Sequence, residues 1–333
     1  MAETDNLPRW GGRPGGFEAW HLTLTEPVSG QGVWIRAGLV APASGSPWGT
    51  AAIAAFHPAN PERTFGIQQR HPANGFTLGG PDRYLRTGDV EVGPGFVRGT
   101  IDGGGRNARF DLTFPTGQTS NPLLPHMATR GPLGAAAITS PNAHVPVSGV
   151  VTIDGEALAL DEAPGSPSHT YGPRRPERWA WARCTSFEDE DAVFEAFTGR
   201  VRRGRYLTPY LTTVALRWRG RLLRFTKLRP SRDFSLGFWH IDVADRRYRL
   251  TGRVEAPAIA LVRTRLEDPD GSERHTHHTA MASCRLALFE RRPGGFDEVA
   301  VLESHGLAHA EWVGRTPAAA VERSAVEREA VGE

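Results

Sequence analysis

The sequence predicts an all-β chain folded as two antiparallel β domains. Three observations carry that expectation. The 38 glycines and 26 prolines fall between short runs of alternating apolar and polar residues, the pattern of strands joined by turns. Helical periodicity is weak almost throughout. A chain of 333 residues is long for one core and suits two, and a Pro/Gly cluster lies close to its middle.

The first series of expected strands is Phe17 to Thr25, Gly32 to Val40, Thr50 to Phe56, Phe96 to Asp102, Arg109 to Phe114 and Val147 to Ile153. The second begins with Arg178 to Phe187, Phe194 to Arg202, Leu211 to Trp218, Leu222 to Lys227, Leu236 to Val243 and Tyr248 to Glu255. It closes with Ile259 to Leu266, His278 to Glu290 and Glu298 to Val313. Two segments read otherwise. Glu188 to Phe197 has the pattern of a turn or two of helix, and Pro317 to Glu333 that of a short charged helix or a frayed end. Between the series, Asp161 to Arg178 holds Pro164, Gly165, Pro167, Gly172, Pro173 and Pro176, and reads as the linker. The expected organisation is residues 1–165 as one domain, 166–316 as a second, and 317–333 as a tail. Halves of about 160 residues suit a barrel or a sandwich.

Composition excludes several classes of function. No apolar run approaches the roughly 20 residues that a membrane helix needs. The first 16 residues lack the apolar stretch of a secretory signal. A formal net charge of +2 gives no global field to attract nucleic acid or anionic lipid. Cys184 and Cys284 are too few for a disulfide framework or a cysteine zinc site, so the expected setting is a reducing cytoplasm. There is no phosphate-binding G-x-x-x-x-G-K-[ST] loop and no G-x-S-x-G elbow. Lys227 is the only lysine, which leaves one candidate for Schiff-base chemistry.

The motifs lie around the middle of the chain. Ser140-Pro141 and the run Ser148 to Gly155 lead into Ser168-His169-Thr170-Tyr171-Gly172, followed by Trp179-Ala180-Trp181-Ala182-Arg183-Cys184 and Phe187. Phe17 to Trp20, Gly32 to Arg36 and Ser304 to Trp312 add to the pattern. Together these segments resemble the tocopherol cyclase and carotenoid hydratase superfamily, whose members show a G-x-x-H-x-(W/Y)-G junction before a W-x-W-x-x-C strand. Tyr171 stands where tryptophan is usual, and Thr185 where tocopherol cyclases carry asparagine. The resemblance implies two lipocalin-like β-barrels in tandem, with a pocket for a long apolar molecule. Relatives of that architecture include cyclases and hydratases of isoprenoids, polyketide Diels–Alderases and proteins linked only to lipid handling. His169 and Tyr171, in the junction motif, are candidate substrate contacts.

Strand alternation supplies the other candidates. Trp179, Trp181, Arg183 and Phe187 share one face, where indoles beside a guanidinium can line a polyene pocket and steady a developing cation, or else plug a core. Phe238, His240 and Asp242 share a mixed face, with Trp239 on the apolar reverse. In a dry cavity Asp242 becomes a usable acid, and on a solvated face it does not. His305, Leu307, His309 and Glu311 share a face in the last strand, as an acid–base pair or as a structural network. The run His275 to His278 offers imidazoles, and His275 with His277, completed by His309 and Glu311, is the one metal arrangement to weigh. An exposed hairpin after Asp268-Pro269-Asp270-Gly271 is the plainer role, and no metal is expected.

These readings converge on an enzyme that needs no cofactor and closes or hydrates a hydrophobic polyene. Asp242 or Glu311, with His309, would act as acid and base. Trp179, Trp181, Arg183, Phe238, Trp239, His240, His169 and Tyr171 would line the substrate. In a pericyclic version, the cavity alone supplies the reactive conformation. The rival reading is a carrier of a hydrophobic ligand that performs no chemistry.

Overall fold

The computed structural model describes residues 6–116, 121–122, 136–140, 144–188, 192–229, 232–321 and 323–329. Among them there are strands and three short 3-10 turns, and no α-helix. Fourteen strands form the first sheet. In chain order these are β1 (Gly16–Thr25), β2 (Gly32–Ala41), β3 (Trp48–Phe56), β4 (Phe65–His71), β5 (Phe76–Leu78), β6 (Leu85–Thr87) and β7 (Val90–Gly93). They continue with β8 (Phe96–Gly103), β9 (Arg106–Thr113), β10 (Asn121–Pro122), β11 (Ala137–Ser140), β12 (Val145–Ile153) and β13 (Glu156–Gly172).

The second sheet has ten strands. It begins with β14 (Arg178–Cys184) and β15 (Ala192–Arg200), after which β16 (Arg202–Arg203) and β17 (Tyr206–Leu207) make a separate small ribbon. It resumes with β18 (Tyr210–Trp218), β19 (Arg221–Arg229), β20 (Phe234–Ser235), β21 (Phe238–Ala244) and β22 (Tyr248–Glu255). It ends with β23 (Val262–Glu267) and the long hairpin of β24 (Glu273–Arg292) and β25 (Gly295–Gly314). A last strand, β26 (Val326–Glu329), returns to the first sheet and pairs parallel with β4.

The fold is all-β, with two curled antiparallel units in tandem. Each sheet buries alternate residues on its concave side. Trp20, Leu22, Ile35, Ile53 and Phe110 fill the first unit, and Phe194, Leu216, Trp239, Leu286 and Trp312 fill the second. Each such side chain stabilises its unit by about 1.5–3 kcal/mol through the apolar surface it removes from water. Cys184 and Cys284 are free and buried, and Cys184 belongs to the second core. Burial pushes the Cys184 thiol up to about 11, so it is a packing residue and not a nucleophile.

Three expectations need correction. The segment from Asp161 to Gly172 is not a linker but part of one strand, β13. Its first half pairs with β12 and its second half with β1, so Pro164 and Pro167 each have a sheet neighbour on one side and cost the ladder little. The chain passes from the first sheet to the second at residues 173–177, just before β14. Ala192 to Phe197 is strand and not helix, because Phe194 and Ala196 point into the second core while Glu195 and Phe197 point outward. The described part of the tail, residues 317–321 and 323–329, is neither the short helix nor the frayed end expected, and residues 322 and 330–333 lie outside the described residues. Val321 packs in the second core and Ala325 is buried, which lets residues 326–329 add to the first sheet.

The convex faces of the two sheets pack against each other. Trp34, Ala52, Ala54 and Phe56 from β2 and β3 meet Ala260, Val262, Ala280 and Met281 from the second unit. Small residues allow this approach. A Cβ on Gly32 would stand 2.1 Å from that of Ala280. Several of the candidate site residues lie in this junction.

Candidate functional site

Alternation along β14 sends Ala180, Ala182 and Cys184 into the second core, leaving Trp179, Trp181 and Arg183 on the convex face. The register of β25 against β14 sets Glu311 beside Trp181, and His309 beside Arg183. On the other side of β25, β24 brings His278 opposite Glu311. Three strands of the second sheet thus present one surface of aromatic and ionisable groups. The first sheet covers it with Thr25, Trp34, Phe56 and His21, and with Ser140 and Ser166 nearby.

His278 is the centre of the cluster. It is fully buried, and its ring lies 5.2 Å from that of Trp34, 5.7 Å from Phe56, 6.3 Å from Trp181 and 5.9 Å from His309. Neither ring nitrogen of His278 has a hydrogen-bond partner. Leaving a buried polar atom unpaired costs about 1–3 kcal/mol, so such a group in a native fold calls for an explanation. Nδ1 lies 3.9 Å from Oε2 of Glu311, outside hydrogen-bond range. The other Glu311 oxygen, Oε1, accepts from the Trp179 indole N–H at 2.6 Å. Glu311 is therefore held by one oxygen while the other faces an imidazole in an aromatic surround.

The neighbouring charges divide the roles. Burial, with His278 and Arg183 close by, holds the His309 imidazole well below its ordinary pKa. It is neutral at pH 7 and shares a 3.0 Å hydrogen bond between Nε2 and the Thr25 hydroxyl. His21 is likewise held well below the usual value by burial and by Arg36 and Arg175, and its Nε2 lies 3.2 Å from the Thr170 hydroxyl. Neither can serve as a proton donor near neutrality. The carboxyl beside His278 is that of Glu311, two residues along β25 from His309.

Arg183 builds the wall beside them. Its Nη2 donates to Glu195 Oε1 and to Ser140 Oγ (2.7 Å), and its guanidinium lies 5.2 Å from the Trp181 ring. Glu195 Oε1 also accepts from Trp181 Nε1 at 3.1 Å and from Ser140 at 3.0 Å. This network fixes Trp181 in place. Farther along, Arg36 is buried, and burial together with Arg175 brings its guanidinium down to about 9, against an upward pull from Glu311.

Residues 98–314 match the tocopherol cyclase-like family. The chain belongs to that family. The match to the tocopherol cyclase-like family begins in β8 and ends with β25, so it holds Trp179, Trp181, His278, His309 and Glu311, while Thr25, Trp34 and Phe56 precede it. Two uncharacterized proteins of Mycobacterium tuberculosis, MT0513 and Rv0493c, are each 27% identical over 293 residues, which covers 85% of this chain and 84% of theirs. Among solved structures, an AttH-named protein of Nitrosomonas europaea shares the fold with a TM-score of 0.51 at 16% identity, covering 90% of this chain and 93% of that one.

The expected site residues divide into groups. Trp179, Trp181, Arg183, His309 and Glu311 come together at the junction. Asp242, Phe238 and His240 stand on the solvent side of β21. Burial works upward on the Asp242 carboxyl, but a 3.0 Å ion pair with Arg249 and the charges of Lys227 and Arg229 outweigh it, and its pKa is lowered. An acid held ionised is no donor. Trp239 is core. His169 and Tyr171 face the interior of the first unit, where the His169 ring stacks on Trp20 at 4.6 Å and its Nε2 contacts the buried Glu18 at 2.8 Å. Backbone amides of Arg9 and Trp10 also bond to Glu18, so the N-terminal segment closes over this group. His305 is exposed, because the first sheet does not reach that far along β25.

The metal arrangement is not assembled, and the histidine run is not an exposed hairpin. His277 turns away from the junction, with Nδ1 3.1 Å from the Trp312 carbonyl oxygen and Nε2 accepting from Ala318 N–H at 3.1 Å. His278, its neighbour on the opposite face, was the residue to read. No helix among the described residues is long and apolar enough to cross a membrane.

Proposed function

We propose that the junction binds an unsaturated hydrophobic molecule, an isoprenoid or a polyketide, and closes or hydrates it without a cofactor in the cytoplasm. The observation that carries this reading is the Glu311 carboxyl, pinned by Trp179 and facing an unpartnered His278 among Trp34, Phe56 and Trp181. In the acid version, protonated Glu311 gives its proton to one alkene carbon, and the cation forms at the other. The aromatic faces steady that cation and keep bulk water away. An internal double bond or a held water then attacks, and His309 takes up the proton released. In the pericyclic version, the same walls hold the reacting termini close and no proton moves. Family membership supports chemistry of this general kind.

Carriage without reaction is the second reading. It is favoured by the same Trp179 hydrogen bond, which occupies one Glu311 oxygen as a structural contact.

Two variants test the proposal against a panel of isoprenoid and polyketide polyenes, with products read by mass spectrometry. Glu311→Gln keeps the shape and removes the acid, and is expected to lower turnover by several orders of magnitude with binding retained. Trp181→Ala is expected to weaken binding while the protein stays folded. Near-normal turnover in Glu311→Gln would eliminate acid catalysis in favour of pericyclic closure. A Trp181→Ala protein that loses stability but binds normally would make the junction a core and not a site.

A further inference from the structure

Beside the junction, a cleft opens between β2–β4 and β23, and Arg36 forms its inner end. The other arginines of the cleft already have carboxylate partners. Arg70 pairs with Glu267 at 3.2 Å, Arg265 with Glu327 at 3.0 Å, and Arg328 with Asp102. Arg36 is 3% exposed and donates a hydrogen bond to the Thr50 hydroxyl, at 3.4 Å. Among the described residues no carboxylate lies within ion-pair distance of Arg36, and Glu311 acts on it only from farther away, so a guanidinium placed out of water there favours a further anion. Four arginines against two glutamates line the cleft, so its balance is positive.

The cleft borders the site. Leu266 lines it and also packs with Trp179 and Val313. Arg36 is the direct cross-strand partner of His21 and lies two residues along β2 from Trp34, on the same face. We propose that the substrate carries a carboxylate, seated on Arg36 and Thr50 at the inner end of this cleft, with its apolar body extending past Trp34 towards Glu311. This rests on the junction being the ligand site. The forked guanidinium matches a carboxylate through two parallel N–H donors.

The test uses the whole chain and a fluorescent polyene acid, cis-parinaric acid, beside its methyl ester. The acid is expected to bind at least about tenfold more tightly than the ester, as a charge-assisted hydrogen bond would provide. Arg36→Met should erase that difference, and Arg36→Lys should keep part of it. Equal affinities for acid and ester in the unaltered protein would overturn the proposal, as would a preference that survives Arg36→Met. If Arg36→Met fails to fold, the acid–ester comparison in the unaltered protein decides. Dodecyl phosphate displacing the probe more strongly than dodecanoate would also overturn it, in favour of a phosphate. Acid and ester bound equally, but both weakened in Trp181→Ala, would leave the junction site standing and refute the carboxylate alone. Binding of neither, or binding of both untouched by Trp181→Ala, would refute the two readings together.

Discussion

Removing one partner of the Arg183–Glu195 pair should cost far more than removing both. The side chains are 2% and 3% exposed, and they face each other across β14 and β15. Glu195→Leu leaves the guanidinium with only Ser140 and the Ser166 carbonyl oxygen, in a place that water does not reach. Breaking a buried pair in this way typically costs about 3–5 kcal/mol. Arg183→Met leaves a buried carboxylate with neutral donors only, and should cost a similar amount. The double variant puts apolar volume in both places and should lie within about 1 kcal/mol of the starting protein, because two desolvation penalties vanish with one attraction. The coupling between the sites then exceeds about 3 kcal/mol. Urea unfolding followed by tryptophan fluorescence reads it. With a slope of about 1–3 kcal/mol per molar, each single variant moves the midpoint by 1 M or more. Single costs below about 1 kcal/mol that simply add would show that the pair is solvated, and would refute the dry junction.

Two other outcomes are expected. His309 and His21 are neutral in the folded chain, with pKa values well below 6.5, whereas the unfolded chain titrates near 6.5. Unfolding therefore takes up protons below that pH. The stability these residues confer is complete above about pH 6.5 and is lost as pH falls towards their folded values, at up to about 1.4 kcal/mol per pH unit for each. Urea midpoints at pH 7.5, 6.5 and 5.5 measure this, and a flat profile would contradict the burial of both rings. Gly32→Ala should destabilise the joined units by about 1–3 kcal/mol, since its Cβ would fall 2.1 Å from that of Ala280. An unchanged melting temperature would show that the sheets are not in contact there.

Local alternation was readable where one strand decides the matter. The split of Trp179, Trp181 and Arg183 from Ala180, Ala182 and Cys184 follows from period two alone, and the structure reproduces it. Strand limits such as Gly32 to Val40 lie within a residue of β2. What one strand cannot reveal is which of its faces another sheet will cover. Asp242 and Glu311 looked alike in sequence, each two residues from a histidine on a mixed face. The register of β25 between β14 and β24 buries one face, whereas Phe238 and His240 on the other are exposed. His278 is not legible from spacing, because His275 and His277 share the opposite strand face and its partners Trp34 and Phe56 lie more than 200 residues earlier. The prolines of β13 misled for a different reason. Their effect depends on which side of a strand has a neighbour, a tertiary fact.

The return of β26 to the side of β4 has consequences for how this protein is made. On a ribosome adding roughly 5–20 residues each second, β4 emerges well before the strand that flanks it, separated by a delay of about 13–50 s. For that interval β4 presents open backbone donors and acceptors, the kind of edge to which a second nascent chain can attach. The partner must also come from its own chain for a monomer to result. A β26 captured by a neighbouring molecule would satisfy the same ladder and produce an exchanged dimer. Slow release or crowded polysomes should therefore favour exchange, and an extension placed directly after residue 329 would compete for the same edge.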